Sequence, residues 1–183
     1  LPQAKAEEQT PPNIIFILTD DQPLYTVAYM PTVKNELIAN GVNFTNGFVT
    51  TPLCCPSRSS ILSGEYVHNH QVYTNRMPMG GAPKFKDAST IATWMKEAGY
   101  TTAYYGKYLN DYEDLQPQGY VPPGWDDWGA FLGKNLNYNE DAGSLQYFFD
   151  FTMSENGEIV EYPRNKDNFS ADVVTKKAVN FIN

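Results

Sequence analysis

Residues 51–64 read TPLCCPSRSSILSG and hold both cysteines of the chain, Cys54 and Cys55. Adjacent cysteines rarely bridge, because a disulfide between them would need strained geometry. The proline after them and the closing glycine predict a helix over 56–62, with Arg58 in its first turn. Free backbone N–H groups and the helix dipole favour negative charge at such an N-terminus. The stretch therefore indicates a site that handles anions.

The apolar run before this stretch, residues 13–18 (NIIFIL), predicts a strand buried on both faces of a parallel sheet. It is followed by Asp20 and Asp21, in the place where ligands of open α/β sheets collect. Neighbouring carboxylates repel each other unless a cation lies between them. A solvated loop is the commoner explanation for an isolated aspartate pair, but this position favours a metal site.

The remaining pattern alternates helices and strands, which predicts an α/β fold. The predicted helices cover 31–40 and 89–98, the predicted strands 42–49 and 100–105, and a loop-like segment covers 113–134. Lys107 follows the strand over 100–105 in the same place as the aspartate pair follows the first strand. A lone lysine is usually solvated, but this placement makes it a candidate for the same site.

The last 40 residues predict a β-hairpin and a helix. Residues 147–153 and 158–162, joined by an Asn-Gly turn, predict the hairpin. Ser170 predicts the N-terminus of an amphipathic helix that runs to the last residues. Because the predicted repeat ends on a helix without a following strand, we expect a truncated or cleaved chain.

The only two histidines, His68 and His70, are spaced i, i+2. On an extended segment their side chains would face the same way, whereas on a helix they would diverge. Paired histidines can bind metal or transfer protons, and an exposed or hydrogen-bonded structural histidine is an equally good explanation.

Composition excludes several classes of function. The net charge is −8, so no basic surface is available for nucleic acid. No apolar run approaches the length of a membrane span. Two cysteines give no disulfide framework. Residues 1–12 are polar with three prolines and predict a disordered lead-in, as a remnant of a signal peptide or of an expression tag.

At several motifs the chain resembles the sulfatase family. Residues 54–58 fit the signature C-x-P-S-R, and residues 61–64 continue it as ILSG. Residues 13–22 resemble the family's first strand and metal-binding aspartates, and Gly106-Lys107 resembles its Gly-Lys motif. Among sulfatases, the motifs most resemble glucosamine-6-sulfatases and extracellular heparan 6-O-endosulfatases. The resemblance implies an alkaline-phosphatase-like three-layer α/β sandwich with a mainly parallel central sheet, of which residues 13–183 are an incomplete N-terminal part.

The resemblance also implies a nucleophile. A maturation enzyme would oxidise Cys54 to Cα-formylglycine, whose hydrate attacks the sulfur of a sulfated sugar or aryl ester and then releases sulfate. Asp20 and Asp21, with the group at Cys54, would hold calcium. Such an enzyme would work outside the cytoplasm, in the periplasm, a lysosome or the extracellular space.

The same resemblance assigns roles to four further residues. Arg58 would stabilise the deprotonated diol, and Lys107 would neutralise a sulfate oxygen. By the same analogy His70 and Asn75 would contact the substrate. Many sulfatases carry a histidine where this chain has Leu109, and the family's remaining metal ligands and leaving-group acid lie beyond position 183. The chain alone would then hold about half of a site, completed by the C-terminal part of the same enzyme.

Three alternatives remain at this point. One is a phosphonate or phosphodiester hydrolase of the same superfamily, some of which also use formylglycine. Another is a non-catalytic fragment that binds sulfated glycans. A vicinal-thiol redox or soft-metal site is the weakest, because two adjacent cysteines offer too few ligands.

Overall fold

The computed structural model describes residues 11–132 and 148–183. The chain divides into two compact units, residues 1–47 and 48–183. The predicted lead-in over 1–12 lies outside the described residues except for its last two. No helix in the described ranges is both long enough and apolar enough to cross a membrane.

The described part of the first unit, residues 11–47, is helical and irregular. A 3₁₀-helix covers Leu24–Tyr29 and a π-helix covers Val33–Ile38. The second element confirms the helix predicted over 31–40, with shorter bounds. Neither predicted strand, over 13–18 or over 42–49, is formed among these residues.

The strand predicted over 13–18 was wrong for this structure, and the reason is physical. The side chains of Ile14 to Leu18 are 45–76% exposed instead of buried. A strand in a parallel sheet is stabilised by ladder hydrogen bonds to neighbouring strands. All strand pairings among the described residues join strands of the second unit. The same lack of a pairing strand applies to residues 42–49, where Gly47 weakens the pattern further.

The described part of the second unit contains one four-stranded sheet and four α-helices. The strands are β1 (Ala103–Gly106), β2 (Asp127–Phe131), β3 (Phe151–Glu155) and β4 (Glu158–Tyr162), in that order across the sheet. The helices are α1 (Cys54–Ser63), α2 (Val67–His70), α3 (Ile91–Glu97) and α4 (Ser170–Ile182). Short 3₁₀-helices cover Ala82–Lys84 and Tyr112–Gln118. The predicted α/β class is confirmed.

The sheet is mixed. Strand β1 pairs with β2 in parallel, and β2–β3 and β3–β4 are antiparallel. The predicted hairpin is confirmed as β3–β4, with Asn156 and Gly157 at φ 50° and 93° in its turn. Its first predicted residue, Tyr147, lies outside the described residues. The helices predicted over 56–62 and 89–98, the strand over 100–105 and the helix from Ser170 are also confirmed, with shifted bounds.

The loop predicted over 113–134 was wrong in one part, because strand β2 lies within it. The strand is short and has a glycine at its centre, so its sequence pattern is weak. A Cβ at Gly129 would lie 3.0 Å from the ring of Tyr105 on the neighbouring strand. Close packing against β1 therefore stabilises β2, which is a tertiary effect that local patterns do not record.

Trp128 on β2 lies at the centre of the main core, with 1% of its surface exposed. Its ring stacks on Tyr104 at a centroid distance of 4.9 Å. Its Nε1–H donates to the hydroxyl of Tyr112 at 2.8 Å, and that hydroxyl donates to the carbonyl of Tyr120 at 2.6 Å. These aromatic residues are core residues with satisfied polar tips.

Trp128→Ala is expected to lower the free energy of unfolding by about 3–5 kcal/mol, because it leaves a cavity and removes the N–H that donates to the buried Tyr112 hydroxyl. Urea unfolding measures the change. Trp94→Ala is the matched control, since Trp94 is 44% exposed and its loss costs less. Equal destabilisation by the two substitutions would contradict this description of the core.

Candidate active site

Helix α1 begins at Cys54. Leu53 before it is extended, with φ −138° and ψ 140°, and Gly64 ends the helix at φ 69°. The left-handed conformation at Gly64 is one that glycine adopts without strain. Cys54 is partly exposed, whereas Cys55 is fully buried. The helix thus presents one thiol at its N-terminus, where unpaired N–H groups favour an anion.

Lys107 brings a positive charge to this thiol. Strand β1 ends at Gly106, and Lys107 is the next residue. Its Nζ donates a hydrogen bond to Cys54 Sγ at 3.3 Å. The end of the strand and the start of the helix therefore place an ammonium group against the side chain at position 54.

Arg58 lies directly beneath this contact, one turn along α1 from Cys54. It is 8% exposed, and its Nη1 donates to the carbonyl oxygen of Lys107. The hydroxyl of Tyr104 donates to the same carbonyl oxygen. Two donors from different elements thus hold the backbone of Lys107. The structure brings Cys54, Arg58 and Lys107 into one cluster.

Cys55 links three segments behind the cluster. Its backbone N–H donates to Asn75 Oδ1 at 2.9 Å, which satisfies one of the free donors at the start of α1. Its Sγ accepts the backbone N–H of Asn110 at 3.1 Å and lies 3.4 Å from Asn110 Oδ1. Burial raises the pKa of the Cys55 thiol to about 11. Cys55 is therefore an unreactive thiol that packs and positions.

The two histidines diverge because they lie on helix α2. His68 is exposed and stacks on Tyr66, with the ring centroids 5.8 Å apart. His70 is 8% exposed. Its Nδ1 accepts the backbone N–H of Val72 at 3.1 Å, so the neutral ring carries its proton on Nε2 and donates it to Ser60 Oγ at 3.0 Å.

The hydrogen bonds of His70 hold its ring in one position. Both ring nitrogens are engaged within the protein, with Val72 and Ser60, and the substrate contact that the resemblance implied stays a prediction. The arrangement also separates His70 from His68, so the two do not form a paired metal site among the described residues. Burial lowers the pKa of His70 from its ordinary value of 6.5, although Glu65 acts in the opposite direction.

The protein is expected to lose stability as the pH falls below 6.5, because the unfolded chain then takes up a proton that folded His70 resists. The contribution of neutral His70 is complete above that pH and is lost as the pH drops through the lowered pKa. Urea midpoints at pH 7 and pH 5 measure the slope. His70→Gln should flatten it and His68→Gln should keep it; equal slopes in the two variants would contradict the assignment.

Asp20 and Asp21 belong to the first unit. Both are exposed, and their carboxylate oxygens approach within 4.8 Å of each other. Asp21 has φ 51°, a left-handed conformation that aspartate tolerates better than most residues. Paired carboxylate oxygens are the ligands that calcium prefers, so this donor set fits that ion.

Comparison with known proteins identifies the family. The family model described as "Sulfatase" matches residues 12–183. The chain belongs to the sulfatase family. It is 43% identical over 176 residues to a Caenorhabditis elegans homologue of the extracellular sulfatase Sulf-1. It is 33% identical over 178 residues to human N-acetylglucosamine-6-sulfatase.

The structures agree with this assignment. The solved structure of BT4656 in complex with its substrate, D-glucosamine-2-N,6-O-disulfate, matches with a TM-score of 0.55 at 25% identity. That match covers 76% of this chain and 23% of the BT4656 chain. The alkaline-phosphatase-like α/β fold that the resemblance implied is thereby confirmed.

The chain spans only part of its sulfatase relatives. The match covers 93% of this chain but 23% of the Caenorhabditis elegans relative, and 92% of this chain but 30% of the human relative. The described residues therefore include the helix that carries Cys54 and the two positively charged side chains near it, those of Arg58 and Lys107.

Three residues of this sulfatase chain near Gly106 and Lys107 pack in the core or support the cluster. Leu109, in the place of a histidine in many sulfatases, is 4% exposed and belongs to the core. Asn110 beside it contacts Cys55 through its backbone N–H and its Oδ1. Tyr104 was missed, although the two-residue period of a strand places it on the same face as Gly106, next to the lysine motif.

Proposed function

We propose that this chain carries the nucleophile and anion-binding part of a sulfuric ester hydrolase. One water is consumed in the reaction, the alcohol of the ester leaves with a proton, and sulfate leaves with the oxygen of water. The observation that carries the proposal is the contact of Lys107 Nζ with Cys54 Sγ at 3.3 Å, at the N-terminus of α1. Family membership supplies the reaction type.

Cys54 is the residue proposed to become Cα-formylglycine. It is the partly exposed first residue of α1, which fits a group that must meet both solvent and substrate. When present, the hydrated aldehyde supplies one hydroxyl as a nucleophile toward sulfur and a second through which sulfate is released. The neighbouring thiol, Cys55, is buried with a raised pKa and does not compete.

The other two residues of the cluster, Lys107 and Arg58, supply positive charge. Lys107 is proposed to neutralise a sulfate oxygen, because its ammonium already lies against the side chain at position 54. Arg58 adds a buried positive charge one turn below and fixes the backbone of Lys107, which favours a deprotonated hydroxyl at the helix N-terminus. Preorganised cations of this kind stabilise the charge that develops in the transition state.

Asp20, Asp21 and the group at position 54 are proposed to hold a calcium ion. The aspartates supply the hard oxygen ligands that calcium requires. When bound, the ion supplies positive charge to a sulfate oxygen and lowers the pKa of the attacking hydroxyl. The remaining metal ligands are proposed to come from the rest of the enzyme.

The proposed substrate is a sulfated sugar. Support comes from the relatives, one of which is named for N-acetylglucosamine 6-sulfate hydrolysis, and from the disulfated glucosamine in the BT4656 complex. A formylglycine-generating enzyme is the proposed maturation partner. An extracytoplasmic location is proposed from the name of the extracellular Sulf-1 relative. His70 and Asn75 are proposed to contact the substrate, as the resemblance implies, and hydrogen bonds to Ser60, Val72 and Cys55 hold their side chains in place.

Sulfate release from N-acetylglucosamine 6-sulfate tests the proposal, with the whole enzyme of which this chain is proposed to be a part, produced beside a maturation enzyme and supplied with calcium. Hydrolysis of a phosphodiester by the same preparation is measured in parallel. Faster sulfate release is the expected result. Faster phosphodiester cleavage would identify the related hydrolase class, and sugar binding without release would identify a binding protein.

A further inference from the structure

A depression of about 490 Å³ lies beside the N-terminus of α1. It is lined by Leu53, which directly precedes Cys54, and by residues 74–79. Among these is Asn75, whose Oδ1 accepts the backbone N–H of Cys55 at 2.9 Å. The depression is therefore continuous with the helix terminus that presents the candidate nucleophile. Its volume lies in the range of small-molecule sites in proteins.

The loop that forms the depression is held in shape by its own hydrogen bonds. The Tyr73 N–H donates to the carbonyl of Met79 at 2.7 Å, and the Gly81 N–H donates to the carbonyl of Thr74 at 3.3 Å. Gly80 packs so tightly that a Cβ there would lie 1.6 Å from the Thr74 carbonyl oxygen. A surface fixed in this way needs little ordering when a ligand binds, which favours selective recognition.

The lining has one charged side chain, that of Arg76, together with two polar and four apolar residues. Leu53, Met77 and Met79 are 41%, 52% and 51% exposed. Arg76 is exposed among them, and Thr74 Oγ1 donates to the Arg76 carbonyl at 2.8 Å, which fixes the backbone from which the guanidinium projects. The exposed Arg76 side chain is a local positive charge on a chain whose net charge is −8.

We propose that this depression is a substrate subsite, in which Arg76 binds a second anionic group of the sugar whose sulfate ester is cleaved. The guanidinium matches sulfate and carboxylate oxygens with two parallel N–H donors. The leucine and methionine side chains supply apolar contact for the C–H face of the ring. The inference rests on the proposed function and adds a preference for sugars with two anionic groups.

Paired kinetics test this inference with D-glucosamine-2-N,6-O-disulfate and N-acetylglucosamine 6-sulfate, which differ by the anionic group on the 2-amine. The readout is the ratio of kcat/KM for the disulfate to kcat/KM for the monosulfate. Arg76→Gln is expected to lower this ratio about three- to tenfold, the range for a partly exposed charge-assisted contact. Arg76→Lys should lower it less, because it keeps the charge and loses the two-pronged geometry.

Arg164→Gln is the matched control, because it removes the same charge from an exposed position after β4 and should keep the ratio of the unmodified protein. An unchanged ratio in Arg76→Gln would overturn the subsite. An equal fall in both glutamine variants would also overturn it, because it would assign the effect to net charge. Failure of the proposed function is distinguishable, since neither sugar would then release sulfate with any variant.

Discussion

Cys54→Ala is expected to abolish sulfate release, by about 10⁴-fold or more, because it removes the atom from which the nucleophile is made. The side chain is partly exposed at the first position of α1, so the urea midpoint should change little. Initial rates of sulfate release at saturating substrate measure the loss. Calcium should not restore the activity, since the ion has no hydroxyl to activate.

Cys55→Ala is the matched control one position along the chain. Its buried Sγ binds Asn110. The variant should therefore have a free energy of unfolding lower by about 1–3 kcal/mol, and its urea midpoint should fall accordingly. It should nevertheless release sulfate, because position 54 is intact. Full activity in Cys54→Ala, or complete loss in a folded Cys55→Ala protein, would contradict the assignment of the nucleophile.

Lys107→Ala is expected to lower kcat by about 10²–10³-fold, the cost of removing one preorganised charge from a developing oxyanion. Lys107→Arg should recover only part of the rate, because a guanidinium cannot occupy the position of the ammonium 3.3 Å from the side chain at 54. Steady-state kinetics on N-acetylglucosamine 6-sulfate separate kcat from KM. Lys166→Ala, at an exposed site, controls for lost net charge.

A rise in KM with kcat unchanged would contradict this role for Lys107. It would mean that the lysine binds substrate and transition state equally well. An effect of similar size in Lys166→Ala would assign the change to the overall field of the protein instead. The expected result is a change in kcat for Lys107 alone.

Local signals made the centre of the site predictable. The proline and glycine that bound α1, and the position of Lys107 after a strand, are features of the sequence itself. They placed Cys54 and Lys107 at the ends of a helix and a strand. The signature over 54–58 then predicted the chemistry, which stays a proposal. Each of these inferences needed only residues that are near one another in the chain.

The supporting contacts could not be predicted, because they join distant segments. The bonds of Cys55 to Asn75 and Asn110 span 20 and 55 residues. The burial of His70 depends on its position in a four-residue helix, too short to leave a periodic pattern. Strand β2 was missed for the same reason, since its stability comes from packing against β1. The apolar run over 13–18 shows the converse case, in which a strong local pattern lacks a pairing strand among the described residues.

Peptide mass spectrometry across residues 51–64 tests the central claim most directly, because it examines the nucleophile before any substrate is chosen. The protein is produced in a host that contains a formylglycine-generating enzyme, and the peptide is sequenced by fragmentation. The expected result is a loss of about 18 Da, from thiol to aldehyde, located at Cys54, with Cys55 an unmodified thiol. Two unmodified thiols in this peptide, or a modification at Cys55 instead, would contradict the account.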